Sequence, residues 1–197
     1  MEVHAAEPAS RSASVALVGF MAAGKSAVGR PAAARLHVPF VDTDALIVER
    51  GGSVADLFAR EGESGFRRIE RDIVLDVLQG ALRESFVVAL GGGAVMDADV
   101  REALRRLPHV AWLTAPPRVL WERASAVGAA ERPLARDEEA FARLLAARST
   151  LYAEVASVRI PNDGSRSLDA VVDAVEALAR AGSPADRGGA GGEAGPA

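Results

Sequence analysis

The chain has 197 residues, a formal net charge of −4 and no cysteine, with 49% hydrophobic and 25% charged residues. This length and composition fit one globular domain, without disulfides or thiolate metal sites. The acidic balance, with no basic cluster to offset it, argues against a nucleic-acid partner. No apolar run reaches the roughly 20 residues of a membrane span, so we expect no membrane partner. A cytoplasmic location is the default, and we expect a monomer.

Short β-like runs alternate with helical patterns between two segments of tail-like composition. Residues 1–13 show no periodicity, and residues 182–197 are rich in Gly, Ala and Pro. Such segments bury too little apolar surface to fold, so we expect both tails to be disordered. The alternation over residues 14–181 is typical of βαβ units and predicts an α/β fold with a parallel sheet.

The first strand leads into the most specific motif in the chain. The apolar run Val15–Val18 is followed by Gly19-Phe20-Met21-Ala22-Ala23-Gly24-Lys25-Ser26, which fits G-x-x-x-x-G-K-[ST] at each fixed position. In this P-loop pattern backbone N–H groups form an anion site, the lysine reaches the β- and γ-phosphates, and the hydroxyl can hold Mg²⁺. We therefore predict nucleotide binding rather than an ordinary tight turn.

The basic residues support this interpretation. Lys25 is the only lysine among the 23 basic residues, and the other 22 are arginine. A slim ammonium group fits between two phosphates better than a planar guanidinium does. The use of lysine at this one position therefore favours a phosphate site.

The helix after the P-loop is predicted to run from Gly24 to Leu36, with Pro31 inside it. A proline removes a backbone donor and clashes with the preceding turn. We therefore expect the helix to be shortened or to bend near Ala27 or Val28.

Two carboxylates follow the second predicted strand, at 39–41. Asp42 and Asp44 lie where the C-terminal edge of a parallel sheet binds ligands. They could equally cap the short helix predicted over 45–50, and the local sequence leaves both roles open. With a phosphate site on a neighbouring strand end, we favour one carboxylate near Mg²⁺ and the other near an acceptor hydroxyl.

Two helices are predicted next, at 53–61 and 65–82. Arg67 and Arg68 lie near the start of the second helix, where the macrodipole disfavours cations. A bound anion would compensate for them. So would Glu63 or Glu70, which is the explanation we favour for Arg68.

A strand at 86–90 is apolar throughout, is predicted to be central in the sheet, and ends in Gly91, Gly92 and Gly93. These glycines permit close backbone approach to a ligand, but they would also suit a flexible turn, and both interpretations stay open. A helix at 98–107, a strand at 109–113 and a helix at 117–126 follow.

Residues 127–136 form a small, polar, unperiodic segment that contains Arg132. Such a loop is often a lid, and an arginine on a lid can meet a transferring phosphoryl group. We favour a lid over a solvated connection with a surface arginine.

Arg148 interrupts an apolar helical stripe formed by Phe141, Leu144, Leu145, Leu151 and Tyr152. A buried arginine must be paired, and no acidic residue lies three or four positions away. We favour a ligand anion over a structural ion pair. A strand at 158–160 and an amphipathic helix over 168–179 complete the prediction.

These motifs, in this order, resemble the shikimate kinases, in the P-loop group similar to nucleoside monophosphate kinases. The matching stretches cover nearly the whole chain between the tails: 18–30, 40–44, 65–70, 89–95, Arg132-Pro133-Leu134, and Arg148 with Leu151-Tyr152. The resemblance implies a three-layer αβα fold with a five-stranded parallel sheet and a mobile lid at about 125–136. It also implies ATP-dependent phosphorylation of the 3-hydroxyl of shikimate, in aromatic amino-acid biosynthesis.

The resemblance also implies roles for individual residues. The nucleotide and Mg²⁺ would be held by the loop, with Lys25 and Ser26 at the phosphates, Asp42 assisting the metal through water, Arg123 on adenine and Arg132 acting from the lid. Asp44 would orient the acceptor hydroxyl and act as general base, Arg67 and Arg148 would hold the shikimate carboxylate, and Gly91, Gly92 and Gly93 would line its ring. The ATP-binding residues would be Ala22, Ala23, Gly24, Lys25, Ser26, Ala27, Arg123 and Arg132.

Three residues depart from the family pattern. The family usually has glycine at Ala22 and threonine at Ala27, and Pro31 is unusual. We expect an active enzyme with weaker nucleotide binding. The alternatives are another small-molecule P-loop kinase, for gluconate or a nucleoside monophosphate, and a non-catalytic nucleotide-binding regulator.

Overall fold

The computed structural model describes residues 14–126 and 137–181, in which five strands and seven α-helices alternate. The strands are β1 (Val15–Val18), β2 (Phe40–Asp42), β3 (Val87–Ala89), β4 (His109–Thr114) and β5 (Val158–Pro161). The helices are α1 (Lys25–Leu36), α2 (Thr43–Gly51), α3 (Val54–Ala81), α4 (Ala98–Arg105), α5 (Pro117–Ala126), α6 (Glu138–Val155) and α7 (Leu168–Arg180). The two predicted tails and nearly all of the predicted lid, including Arg132, lie outside the described residues.

The five strands form one parallel sheet with the order β2-β3-β1-β4-β5. β1 occupies the middle and is buried along its whole length, which is why its sequence is apolar without alternation. β3 is internal, between β2 and β1. The predicted α/β class and the five-stranded parallel sheet are confirmed. The carboxyl ends of β1, β2 and β3 meet at one edge, where open α/β sheets bind ligands.

Apolar side chains pack into two separate cores. The larger core lies on both faces of the sheet and includes the buried faces of α1 and α7. The smaller one joins α2 to α3 and consists of Ile47, Leu57, Phe66 and Ile73. α3 contains a non-helical residue, Gly62, with φ of 68°, so its two parts correspond to the two helices predicted at 53–61 and 65–82.

Pro31 neither interrupts nor shortens α1, which reaches Leu36, so the predicted shortening is wrong. Val28, Ala32 and Leu36 hold the helix against the main core. The carbonyl that loses its donor belongs to Ala27, which is exposed and can be satisfied by water. A 3₁₀ turn at Ala94–Met96 was not predicted. Within 14–126 and 137–181, no helix is both long and apolar enough to cross a bilayer.

Candidate active site

The P-loop turns sharply between β1 and α1 because three of its residues adopt positive φ. The φ values are 147° at Gly19, 60° at Ala22 and 88° at Gly24. A Cβ at Gly19 would lie 2.6 Å from the carbonyl oxygen of Leu113, so glycine is required there. Ala22 has a side chain and still adopts the left-handed backbone conformation, which costs about 1 to 2 kcal/mol of folding free energy. The loop therefore keeps the shape that glycine would favour, at the cost of strain.

Lys25, Ser26 and Asp42 form a connected group at the start of α1. The Nζ of Lys25 donates to the carbonyls of Gly19 at 2.9 Å and Phe20 at 3.1 Å. The Ser26 hydroxyl donates to Oδ2 of Asp42 at 2.6 Å. The other oxygen of Asp42 accepts from the N–H groups at the start of α2. Asp42 therefore caps a helix and faces the P-loop, so the two roles left open by the sequence are compatible.

The end of β3 lies against the start of α2. The buried Thr43 hydroxyl accepts from the N–H of Gly91 at 2.9 Å. Asp44 is exposed, and its Oδ1 occupies the space that a Cβ on Gly91 would need. Oε1 of Glu70 lies 3.2 Å from the same point. Because residue 91 is glycine, the carboxylates of Asp44 and Glu70 can both approach the end of β3.

Arg67 is paired with Glu70 on the next turn of α3. Its NH1 donates to Oε2 of Glu70 at 2.6 Å and lies 2.6 Å from where a Cβ on Gly93 would be. We expected Glu63 or Glu70 to balance Arg68; the structure instead joins Glu70 to Arg67. The sequence analysis missed Glu70 as a site residue, although its i+3 spacing from Arg67 was a signal.

Glu70 is itself unusual, because it is only 6% exposed. Burial is the main cause that raises the pKa of this carboxyl, and the Arg67 hydrogen bond opposes the rise. The charge of Asp44 raises the pKa further. Glu70 therefore binds a proton more readily than an ordinary glutamate.

Arg148 lies on α6 and is also 6% exposed. Its NH1 donates to the carbonyl of Gly92 at 3.2 Å, and its guanidinium lies 5.6 Å from the ring centroid of Phe20. Tyr152 donates to the same Gly92 carbonyl at 2.6 Å, and burial raises the pKa of its hydroxyl. Among the described residues no carboxylate forms an ion pair with Arg148, and its Nε has no hydrogen-bond partner.

Arg67, Glu70, Gly93 and Arg148 line a cavity of about 450 Å³ between α3, α4 and α6. Two guanidinium groups facing one cavity suit a small carboxylate. A larger cavity of about 530 Å³ beside β4 and β5 contains none of the predicted site residues. The smaller cavity therefore collects the two predicted substrate-binding arginines and Gly93.

Arg123 and the P-loop meet at Asn162. NH1 of Arg123 donates to the Asn162 carbonyl at 2.7 Å, and the Asn162 side-chain amide donates to the carbonyl of Ala23 at 2.8 Å. The sequence analysis did not single out Asn162, because nothing in its neighbours indicates a contact 139 residues away.

The oxygen atoms of Ser26 and Asp42 are the hard ligands that Mg²⁺ prefers. Within the described ranges, no group of three or more His, Cys, Asp or Glu side chains could hold a metal ion. This arrangement fits Mg²⁺ at a nucleotide, because that ion is usually held by one or two protein oxygens together with phosphates and water.

Comparison with known proteins identifies the family. The family model for shikimate kinase matches residues 21–179. A shikimate kinase of Symbiobacterium thermophilum is 46% identical over 168 residues, covering 83% of this chain and 95% of that protein. One from Thermus thermophilus is 38% identical over 170 residues, covering 84% of this chain and 90% of its own.

Solved structures give the same result. The shikimate kinase from Acinetobacter baumannii in complex with shikimate superposes with a TM-score of 0.74 at 32% identity, covering 86% of this chain and 92% of that one. A gluconokinase from Sinorhizobium meliloti reaches a TM-score of 0.50 at 17% identity, covering 85% and 91%; it shares the fold alone. From the family match, the extent of the identity and the shared fold, this chain belongs to the shikimate kinase family.

Proposed function

We propose that the protein catalyses the reaction of its family, with ATP bound at the P-loop, on the donor side, and the acceptor bound at Asp44, Arg67 and Arg148, on the acceptor side. That reaction is the ATP-dependent phosphorylation of the 3-hydroxyl of shikimate, on the route to chorismate and the aromatic amino acids. The observation that carries the proposal is the buried Arg148, which forms no ion pair within 4.0 Å among the described residues and has only a longer-range attraction to the Glu70 carboxyl. Arg148 lines the same cavity as Arg67, and its guanidinium lies 5.6 Å from the ring centroid of the P-loop residue Phe20.

On the donor side, loop N–H groups from Ala22 to Ala27 would hold the phosphates of ATP. Lys25 would leave the carbonyls of Gly19 and Phe20 and donate to the β- and γ-phosphates instead. Ser26 and Asp42 would hold Mg²⁺, which neutralises charge on the phosphates when it is bound. Arg123 would pack on adenine, and Arg132 would stabilise the transferring group from the lid.

On the acceptor side, Arg67 and Arg148 would bind the shikimate carboxylate as bidentate partners. Glu70 would orient Arg67 through its 2.6 Å hydrogen bond. The ring would lie along Gly91, Gly92 and Gly93, where the backbone permits close approach.

Asp44 would orient the 3-hydroxyl for attack on the γ-phosphorus. As the new O–P bond forms, the hydroxyl proton would pass to the Asp44 carboxylate and ADP would leave. Most of the rate acceleration would come from alignment and charge neutralisation, since the protein forms no covalent intermediate.

The first test is ADP release from Mg-ATP with shikimate, gluconate, a nucleoside monophosphate panel or no acceptor. We expect turnover with shikimate alone. Asp44→Ala should abolish turnover while calorimetry still shows ATP binding, and Lys25→Ala should lose both. Glu49→Ala, an exposed carboxylate on the same helix as Asp44, is the matched control and should behave as wild type.

Two results would overturn the proposal. Turnover with another acceptor would keep the fold and change the substrate. ATP binding without turnover on any acceptor would favour a non-catalytic regulator.

We also propose that the protein works as a cytoplasmic monomer without nucleic-acid or membrane partners. The net charge of −4 supports this, because phosphate backbones and anionic lipids attract cationic surfaces. Light scattering during size-exclusion chromatography measures the oligomeric state.

A further inference from the structure

Asn162 is the only asparagine in the chain and follows directly after β5. Its side chain reaches across to the P-loop, where Nδ2 donates to the Ala23 carbonyl at 2.8 Å. The same amide nitrogen occupies the space that a Cβ on Gly24 would need. Asn162 thus contacts the P-loop at Ala23 and at Gly24.

The backbone of Asn162 is fixed from two further directions. Its N–H donates to the carbonyl of Thr114 at 2.7 Å, which extends the pairing of β4 with β5 by one residue. Its carbonyl accepts from NH1 of Arg123 at 2.7 Å. The amide that reaches the P-loop therefore projects from backbone that the sheet and α5 hold in place.

The hydrogen bond to Ala23 determines the direction of a loop amide. In a trans peptide the C=O of one residue and the N–H of the next point in opposite directions. Holding the Ala23 carbonyl against Asn162 therefore turns the Gly24 N–H away from Asn162. The neighbouring groups are also held, since the Ala23 N–H donates to the Phe20 carbonyl and the Gly24 carbonyl accepts from the Val28 N–H, so Asn162 completes the restraint on the peptide between them.

We propose that Asn162 is a positioning residue for the nucleotide, which holds the Ala23–Gly24 peptide and Arg123 in a fixed relation. This inference rests on the proposed function in one respect, namely that the P-loop binds the phosphates of ATP and Arg123 packs on its adenine. One residue then sets the direction of a phosphate-binding N–H with its side chain and anchors the base-side arginine with its carbonyl. Its loss should weaken nucleotide binding and leave the acceptor side unchanged.

The kinetic test uses Asn162→Ala, which removes the donor and keeps the backbone contacts. We expect the KM for ATP to rise about five-fold, the effect of one lost hydrogen bond, with the KM for shikimate unchanged and the melting temperature lowered by only a few degrees. Asn162→Asp keeps the shape but replaces the donor with a carboxylate near the phosphates, so the increase should be about ten-fold or more. Ser165→Ala, which removes a hydroxyl bonded to Asp163 in the same loop, is the control and should change neither KM.

A spectroscopic test does not depend on activity or on any variant. Selective ¹⁵N labelling of asparagine gives one side-chain NH₂ pair in the NMR spectrum, since the chain has a single asparagine. We expect its protons to be protected from exchange and its resonances to shift on titration with Mg-ADP, but not with shikimate. Side-chain protons that exchange like those of a free amide and do not respond to Mg-ADP would overturn the proposal.

The outcomes separate the two proposals. An unchanged KM for ATP in Asn162→Ala, in a protein that phosphorylates shikimate, would overturn the role of Asn162 alone. A wild-type protein that does not phosphorylate shikimate would overturn the proposed function, while the Mg-ADP titration would still decide the role of Asn162.

Discussion

The donor and acceptor sides of the site are built in different ways. The donor side is centred on eight consecutive residues, Gly19 to Ser26, and relies on backbone groups whose direction the loop sets. The acceptor side brings together side chains from α2, α3 and α6, which are far apart in the sequence. A contiguous loop can be recognised from its pattern, whereas an assembled surface depends on the whole fold.

The two sides also differ in how their charges are satisfied before a ligand binds. Lys25 donates to two loop carbonyls, and Ser26 donates to Asp42. On the acceptor side Arg148 is buried without an ion pair in the described part of the chain, and Glu70 is a buried carboxyl with a raised pKa. Arg148 is therefore costly to bury and would be compensated by a substrate carboxylate, whereas the carboxyl of Glu70 is balanced by its hydrogen bond to Arg67.

The largest expected effect is that of Arg148→Met, which removes the buried cation and keeps an unbranched side chain. We expect kcat/KM for shikimate to fall by at least about 30-fold, since a buried charge partner contributes roughly 2 to 5 kcal/mol. The KM for ATP should not change. The melting temperature should change little, because the variant removes a charge that forms no ion pair but also loses the hydrogen bond to Gly92 and the attraction to Glu70.

The control for Arg148→Met is Arg143→Met, an exposed arginine on the same helix that pairs with Glu139. It should alter neither kinetics nor stability. A lower melting temperature with an unchanged KM for shikimate in Arg148→Met would mean that this arginine is purely structural.

A smaller effect is expected from Glu70→Gln, which removes the charge that orients Arg67. The KM for shikimate should rise about ten-fold, because a charged hydrogen bond contributes roughly 1.5 to 3 kcal/mol and the amide keeps part of it. Steady-state kinetics with each substrate varied in turn measure this change. An equal rise in the KM for ATP would instead indicate a general disturbance of the fold.

Glu70 should also give the reaction a pH dependence. Its pKa lies above the ordinary 4.5, so it takes up a proton as the pH falls through a range where an exposed glutamate is still charged. The KM for shikimate should therefore rise on acidification in the wild type and stay nearly level in Glu70→Gln.

Glu70 should affect the free energy of unfolding with the opposite pH dependence: acidification weakens substrate binding but favours the folded state. Because the folded state binds this proton more tightly, the contribution of Glu70 to stability should decrease as the pH rises from 4.5 through the raised value. Urea unfolding as a function of pH should show this trend in the wild type and lose it in Glu70→Gln.

Ala22→Gly tests the strain on the donor side. Relief of the left-handed alanine should stabilise the protein by about 1 kcal/mol or slightly less, since glycine also loosens the unfolded chain. Combined with Ala27→Thr, it should lower the KM for ATP by about two- to three-fold. Ala23→Gly is the control: Ala23 is buried and has no positive φ, so this change should destabilise the protein.

The smallest effect is expected from Tyr152→Phe. The Gly92 carbonyl loses one donor but keeps NH1 of Arg148, so it is not left unsatisfied. Stability should fall by only about 0.5 kcal/mol, and kcat should stay within about two-fold. A loss of kcat as large as that in Arg148→Met would mean that the hydroxyl takes part in the reaction itself.

Local patterns were sufficient for some parts of the fold and site. Periodicity predicted the strands and most helices, and the place of Arg148 in an apolar stripe correctly indicated its burial. Side-chain contacts over long distances could not be predicted in this way, as with the bond from Asn162 to Ala23. Glu63 and Glu70 were both considered as partners of Arg68, and the structure pairs Glu70 with Arg67, because spacing alone does not say which of two neighbouring cations faces inward. Arg132 lies outside the described residues, so its role stays a prediction.

The separate small core of Ile47, Leu57, Phe66 and Ile73 has a consequence for how the site opens. Because it shares none of these buried side chains with the main core, α2 and the adjoining part of α3 can behave as a cooperative unit of lower local stability than the sheet. Gly62 lies between Leu57 and Phe66, so the break in α3 falls inside this unit. Amide hydrogens in this unit should exchange faster than those of β1, which would let the proposed acceptor side release its product while the P-loop stays folded.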